Sequence, residues 1–250
     1  MAGRADWKLI EAISEGDLVG ARTALDAGAE LNRRWPGKQP LTVPANGLWR
    51  GERPLTVAAS HDNARMVKLL IERGANVDLM NQTWHTPLMI ASGGGRLAVA
   101  RVLLKAGADV NRMNRNQETA LTYAVVWGQL RTVRLLLEYG ADVEERQGGW
   151  SPLMYAANSE HPKVVETLFE CGADPARRDR YGRTARDIAA QNPLNKKIVR
   201  VFDKIVAPRV GNRLTRPRPV ARPSNRNSSR CPVVTAPAPR AKVGAWMATG

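Results

Sequence analysis

Cysteine and phenylalanine are the scarcest residues of this 250-residue chain, with two of each. Cys171 lies in the body of the sequence and Cys231 near its end. So few thiols predict no disulfide framework and fit a reducing compartment. No apolar run approaches the roughly 20 residues of a membrane-spanning helix, and the opening MAGRADWKLI lacks the apolar core of a secretory signal. We therefore expect an intracellular protein of the cytoplasm, the nucleus or both.

The usual sequence motifs of catalysis and cofactor binding are also missing. The chain has no Gly-x-x-x-x-Gly-Lys-Ser/Thr or Gly-x-Gly-x-x-Gly phosphate loop and no Gly-x-Ser-x-Gly elbow. It has three histidines, of which His61 and His85 lack a nearby cluster of cysteines or carboxylates at ligand spacing. We therefore predict a protein that is not an enzyme and binds neither a metal nor a cofactor.

Acidic residues are absent from the last part of the chain, residues 207–250. This tail has nine Lys or Arg residues, seven prolines and a single aromatic residue, Trp246. A segment of that composition cannot bury enough apolar surface to offset the entropy of folding, so we predict that it is disordered. The whole chain has a formal net charge of +15, and the tail accounts for nine of those charges.

The sequence does contain a repeated segment. LLKAGADVN, which begins at Leu103, has variants such as LLIERGANVD and LLLEYGADVE elsewhere in the chain. Five Gly-Ala pairs mark the register, at Gly28, Gly74, Gly107, Gly140 and Gly172, and the last four of them are almost evenly spaced. A leucine precedes each glycine at the same distance, at Leu9, Leu55, Leu88, Leu121 and Leu153. A regular period of this length indicates a stack of repeated units rather than one compact core.

Each unit contains the signals for two helices. Thr86, Thr119 and Ser151 can cap a first, alanine-containing helix, because a short hydroxyl accepts a hydrogen bond from a free N–H of the first turn. A longer amphipathic helix such as LAVARVLLKA follows after a short turn. Gly107 and its equivalents end that second helix, because glycine adopts the left-handed conformation without steric cost.

Written out, TPLMIASGGGRLAVARVLLKAGADVNRMNRNQE resembles an ankyrin repeat, and DRYGRTARDIAA matches the Asp-x-x-Gly-x-Thr opening of that family. The resemblance covers residues 6 to 206 and implies an all-α ankyrin-repeat solenoid of about six helix-turn-helix units with β-hairpin tips. The histidine that often follows Pro-Leu in the family is Thr56, Met89, Thr122 or Met154 here. The expected boundaries are 1–206 for the repeat domain, with units near 6–32, 48–80, 81–113, 114–145, 146–178 and 179–206, an insertion at 33–51, and the tail at 207–250.

The resemblance also implies a function, because ankyrin stacks bind other proteins along a concave face of hairpin tips and first helices. The chain has seven tryptophans, and four of them map to that face. Buried aromatic anchors contribute strongly to protein interfaces. The competing interpretation is that these rings pack on neighbouring hairpins and stiffen the array. The predicted partner-binding residues are Trp49, Arg50, Glu52, His61, Trp84, His85, Arg115, Glu118, Trp127, Trp150, Asn158, Tyr181 and Arg183.

Two further segments are candidates for partner contact. The insertion at 33–51 contains Trp35 and Trp49, so it packs either on its own stack or on a partner. The tail carries spaced arginines that attract phosphates or carboxylates, namely Arg209, Arg213, Arg216, Arg218, Arg222, Arg226 and Arg230. The leading hypothesis is a monomeric adaptor or scaffold that binds a protein through its repeats. The alternative is a nucleic-acid- or ribosome-associated protein that uses the tail as its main binder.

Overall fold

The computed structural model describes residues 4–32, 52–144 and 149–206. Within these ranges the chain forms twelve α-helices, arranged as six successive pairs. The pairs are α1 (Arg4–Glu15) with α2 (Leu18–Asp26), α3 (Pro54–Ser60) with α4 (Ala64–Glu72), α5 (Pro87–Gly93) with α6 (Leu97–Lys105), α7 (Ala120–Val126) with α8 (Leu130–Glu138), α9 (Pro152–Asn158) with α10 (Pro162–Glu170), and α11 (Ala185–Gln191) with α12 (Lys196–Val206). A short 3-10 helix, Pro193–Asn195, precedes α12. The predicted all-α stack of six units is confirmed.

The six pairs form two layers of helices. Each first helix packs against the first helix of the next unit, from α1 to α11, and the second helices form a parallel series from α2 to α12. Alanines in the first layer, such as Ala58, Ala91 and Ala124, are completely buried, which allows neighbouring helices to approach closely. We call the surface made by the first helices and the turns before them the inner face.

The interior of the stack is continuous and apolar. The five leucines that marked the repeat are all buried, with at most 3% of their surface exposed. Lys8 and Glu11 of α1 are exposed, as are the lysines of α12, so each end of the stack has a polar side. This agrees with the expectation that terminal units of a solenoid need one solvated face.

The caps predicted from the sequence are present. Thr86, Thr119 and Ser151 each accept a hydrogen bond from the backbone N–H three residues later, over 3.2, 3.5 and 3.4 Å. Gly107 has a φ of +88°, and the N–H of Ala108 behind it donates to the carbonyl of Leu103, which closes the end of α6.

The turns that precede the first helices contain no extended strand in the described ranges. Arg178 and Thr184 form an isolated antiparallel bridge, and the other tips are held by turns and side-chain hydrogen bonds. The tips expected from the sequence are therefore present as tight turns without extended strands wherever they are described. The insertion at 33–51 and the tail at 207–250 lie outside the described residues.

A ladder of side-chain hydrogen bonds links successive units. The residue four positions after a repeat glycine accepts a hydrogen bond from a backbone N–H of the next unit, over 2.8 to 3.0 Å. The acceptors are Asn32, Asp78, Asn111 and Glu144, and the donors are Asn76, Asp109, Asp142 and Asp174. The equivalent position after Gly172 is Ala176, whose side chain has no acceptor atom. The last bond of the ladder therefore joins the fourth unit to the fifth, and the fifth unit offers no such acceptor to the sixth.

Cys171 corrects one expectation from the sequence. It follows the last residue of α10, is partly buried, and is disulfide-bonded. The absence of disulfides expected from the low cysteine count therefore does not hold at this residue, because a low count limits the number of bridges but does not forbid one. Cys231, the other cysteine of the sequence, lies outside the described residues.

The helices of the stack are short. Within the described ranges, no helix has the length and apolar character needed to cross a membrane.

Candidate protein-binding site

The inner face carries an open groove between the third and fourth units. It encloses about 420 Å³ and is mostly apolar. Its lining residues are Asn81, Thr83, His85, Met89, Ile90, Gly93, Gly94, Tyr123 and Trp127. Met89 and Asn81 are buried and Ile90 is partly buried, whereas Thr83 and Trp127 are exposed at the rim. The groove has the apolar lining with a few polar groups that is typical of a recognition site.

Trp127 is the most exposed large aromatic side chain at this groove. It follows the last residue of α7, and 64% of its surface is open to solvent. Its ring reaches the preceding unit, because the indole Cδ1 atom is 3.4 Å from the position that a Cβ atom on Gly93 would occupy. The ring therefore lies across two units while much of its surface stays open.

Trp84 and Arg115 form a second aromatic feature, in the turns beside the groove. The guanidinium carbon of Arg115 lies 3.4 Å from the centre of the Trp84 ring, which is a close cation–π contact. Trp84 has a φ of +64°, so it adopts the left-handed conformation at the turn position that is glycine at Gly182. The ring is partly buried and Arg115 is exposed, so the pair joins one turn to the next and also presents a charged surface.

His85, Glu118 and Tyr123 form a hydrogen-bonded network along the groove. The Tyr123 hydroxyl donates to Glu118 Oε2 over 2.6 Å and lies 2.5 Å from His85 Nε2. Burial raises the pKa of Glu118, but the hydrogen bonds from Tyr123 and Asn114 outweigh burial and hold this pKa below its ordinary value. Burial and the Glu118 carboxylate both raise the pKa of Tyr123. The network therefore keeps Glu118 ionised and the tyrosine protonated, and it fixes both side chains.

Trp150 and Asn158 belong to the fifth unit. The Trp150 ring is partly buried against the core and meets the Tyr155 ring edge-on, with 5.3 Å between centroids. Asn158, the last residue of α9, is exposed. Trp150 therefore packs within the array, as expected if the tryptophans stiffen the stack. Trp127, in contrast, leaves most of its ring exposed.

Glu52 and His61 lie in the second unit. Both Glu52 carboxylate oxygens accept hydrogen bonds from the Asn81 amide, over 2.9 and 3.1 Å, which ties the second unit to the third. His61 is exposed, and its Nδ1 atom is 2.9 Å from the carbonyl oxygen of Val57. Glu52 is therefore a linking residue at the edge of the face, and His61 is an exposed side chain held against the end of its own helix.

Tyr181 and Arg183 lie in the turn that opens the sixth unit. Asp179 accepts hydrogen bonds from the backbone N–H groups of Tyr181 and Arg183 and from the Arg183 guanidinium, over 2.7 to 2.9 Å. Burial alone would raise the pKa of Asp179, but these bonds, led by the Arg183 side chain, lower it to about 2. Tyr181 is left 66% exposed at the tip of a fixed turn.

The remaining predicted contact residues belong to parts of the chain outside the described ranges. Trp49, Arg50 and the seven tail arginines lie outside the described residues. In the part of the chain that the structure describes, no group of three or more His, Cys, Asp or Glu side chains is arranged to hold a metal ion.

Comparison with known families agrees with the two-layer stack and its inner face. A family model for ankyrin repeats in three copies matches residues 9–114, 55–147, 110–179 and 145–204. The chain belongs to the ankyrin repeat family. Ankyrin repeats are in general protein-interaction modules without catalytic activity of their own.

Among curated proteins, this ankyrin repeat chain is similar to NAD-capped RNA hydrolase NUDT12 from Homo sapiens, Pongo abelii and Macaca fascicularis. The identity is 44% over 46 residues in each case, which is 18% of this chain and 10% of each relative. The chain thus matches about a tenth of the length of these relatives, and the match concerns a segment shorter than two ankyrin repeats.

Sequence reasoning missed several residues of this ankyrin face. Tyr123 joins His85 to Glu118, and Asn81 and Asn114 hold the turns by accepting backbone hydrogen bonds, over 2.8 to 3.1 Å. A signal for the two asparagines was available, because they occupy equivalent positions in successive units and act in their turns as Asp179 does in the motif Asp-x-x-Gly-x-Thr. The role of Tyr123 had no such signal, since it depends on a contact with His85 in the preceding unit.

Proposed function

We propose that this ankyrin repeat chain is a non-enzymatic adaptor or scaffold that binds a protein partner on its inner face. The binding site is centred on the groove between the third and fourth units, with Trp127 as the aromatic anchor. The partner places a large apolar side chain against Ile90 in the groove and covers the Trp127 ring. The turns around Trp84 and Arg115 form the adjoining polar rim.

The exposure of Trp127 carries this proposal. The stack buries the five leucines that mark the repeat almost completely, yet it leaves 64% of this ring open beside an apolar groove. Tryptophan is enriched among the residues that contribute most to protein interfaces, because it buries a large area with few rotatable bonds. A rigid stack also loses little conformational entropy on binding.

The other predicted contact residues would contribute at the margins of the site. His85, Glu118 and Arg115 border the groove or its neighbouring turn and offer hydrogen bonds and charge. Trp150 supports the face from within the fifth unit, and Glu52 supports it from the second unit. Asn158 and His61 are accessible for contacts at either end of the face.

The test is affinity capture from nuclease-treated extract of the native cells, followed by a direct binding measurement with the purified partner. Baits are the full chain, residues 1–206, and the full chain with Trp127→Ala. Val19→Ala serves as the control, because Val19 is 74% exposed on α2, far from the groove. We expect Trp127→Ala to weaken binding about tenfold or more and Val19→Ala to leave it unchanged. A partner that binds the wild type and Trp127→Ala equally well would contradict the proposal.

The alternative function places the main contact in the tail. It is favoured by the nine basic and no acidic residues of positions 207–250. Binding of a single strand through the tail should weaken by about 0.7 log units per phosphate contact for each tenfold rise in salt. Binding through the groove should depend much less on salt. Loss of all partners on removing the tail or adding nuclease would support this alternative.

A further inference from the structure

The turn that opens the sixth unit combines an exposed aromatic ring with several arginines. Tyr181 is 66% exposed at its tip, and Arg178 and Arg180 on either side of Asp179 are also exposed. The guanidinium carbons of Arg180 and Arg183 lie 5.0 and 4.9 Å from the centre of the Tyr181 ring. Both guanidinium groups lie over the ring, but farther from it than the 3.4 Å of the Arg115–Trp84 contact, and most of the Tyr181 side chain stays open to solvent.

The turn is held in one conformation before any ligand arrives. Asp179 is 7% exposed and accepts four hydrogen bonds, two from the backbone and two from Arg183. Arg178 donates to the carbonyl oxygen of Gly182 over 2.6 Å, across the base of the turn. The Tyr181 ring is therefore presented on a fixed frame, which lowers the entropy cost of binding to it.

The acidic residues of this unit are already engaged. Asp179 pairs with Arg183, Asp203 pairs with Arg186 over 2.8 Å, and Asp187 accepts from the N–H and hydroxyl of Thr184 at the start of α11. Five cations have no acidic partner within the described residues, namely Arg180, Lys196, Lys197, Arg200 and Lys204. The unit thus offers net positive charge to an anionic ligand, and the basic tail begins directly after it.

We propose that this turn is a binding site for single-stranded nucleic acid. A base stacks on the Tyr181 ring, and the flanking phosphates pair with Arg180 and Arg178. Aromatic platforms beside basic side chains bind single strands with little sequence preference, because every base has a π-face. Phosphates recur along a strand, so the exposed cations of α12 can engage further phosphates of the same ligand. An acidic protein or an anionic membrane would be attracted by the positive charges of the arginines but would not require the Tyr181 ring.

The test measures fluorescence anisotropy of labelled single-stranded oligouridine and oligothymidine, matched in length, with the full chain. The variants are Tyr181→Ala, Tyr181→Phe and, as a control, Leu194→Ala, which removes a 74% exposed apolar side chain of the same unit. We expect Tyr181→Ala to weaken binding at least about fivefold, as loss of one stacked base does. Tyr181→Phe and Leu194→Ala should bind much as the wild type does, and thermal unfolding should confirm that all variants fold.

The salt dependence separates the ring from the charges. Tyr181→Ala should keep the wild-type slope of log K against log salt concentration, because no cation is removed. Arg180→Gln should reduce that slope by about 0.7 for one lost phosphate contact. The proposal is wrong if Tyr181→Ala binds as the wild type does, if neither oligonucleotide binds, or if polyglutamate of equal length competes as well as the oligonucleotides do. None of these outcomes bears on Trp127 and the protein-binding groove.

Discussion

At the scale of single residues, Trp84 combines an unfavourable backbone conformation with a favourable side-chain contact. Its left-handed φ of +64° costs a residue with a Cβ atom about 1 kcal/mol, while its ring packs beneath Arg115. Trp84→Gly and Trp84→Ala both remove the ring, but only glycine also removes the strain. We expect Trp84→Gly to be more stable than Trp84→Ala by about 1 kcal/mol in urea unfolding. Equal midpoints for the two variants would show that the turn relaxes when the ring is lost.

Asp179 gives a residue-scale prediction about pH. Its pKa is about 2 in the folded chain, below the ordinary value of 3.8, so ionised Asp179 stabilises the fold. This contribution is fully present above about pH 4 and is lost as the pH falls from about 4 to about 2. Asp179→Asn should therefore be less stable than the wild type near neutral pH, and the difference should shrink as the pH approaches the folded pKa. Thermal unfolding of Asp179→Asn and the wild type, near neutral pH and near pH 2, tests this prediction. The same difference in stability at the two pH values would contradict it.

At the scale of elements, the ladder between units rests on side chains such as Asn111. Its amide accepts from the N–H of Asp142 over 2.9 Å and donates to the carbonyl of Gly140 over 3.2 Å. Each bond of this kind contributes roughly 0.5 to 1.5 kcal/mol, with exposed bonds at the lower end. Asn111→Ala loses both bonds and should destabilise the chain by about 1 kcal/mol. Asn111→Asp keeps the accepted bond, so its stability should fall between those of Asn111→Ala and the wild type. Urea unfolding of the three proteins measures the order, and equal stability of the two variants would show that the accepted bond contributes nothing.

Among the elements, local features of the fold could be predicted from the sequence, whereas contacts between units could not. Helix caps and glycine turns depend on neighbours within a few residues, so Thr86 and Gly107 were predictable from local patterns. The partner of a side chain that links two units, however, lies about one repeat away and is chosen by packing. For this reason the contact of Arg115 with Trp84 and the network through Tyr123 could not be predicted. The sequence predicted that Trp127 lies on the inner face, but it did not predict how much of the ring is exposed.

At the scale of the whole molecule, the helices that the structure describes pack on those of neighbouring units, as in other solenoids. We therefore predict that removing residues 207–250 leaves the stability of the repeats unchanged. The full chain and residues 1–206 should have thermal midpoints within about 2 °C of each other, a shift that corresponds to less than about 1 kcal/mol. Both should be measured with reductant, so that Cys171 is in the same state in each. A clearly lower midpoint for residues 1–206 would show that the tail stabilises the stack.

The ladder of hydrogen bonds has a direction, and it is interrupted at the methyl group of Ala176. At each earlier junction a unit offers a side-chain acceptor to the unit that follows it, as Glu144 does to Asp174. A duplicated copy of a middle unit, inserted beside the original, would receive a side-chain acceptor from the unit before it and would provide one to the unit after it. A copy inserted between the fifth and sixth units would face the methyl group of Ala176 instead of a side-chain oxygen. The ladder can therefore be extended by duplicating a unit among the first five, whereas extending it towards the sixth unit first requires a side-chain acceptor at position 176.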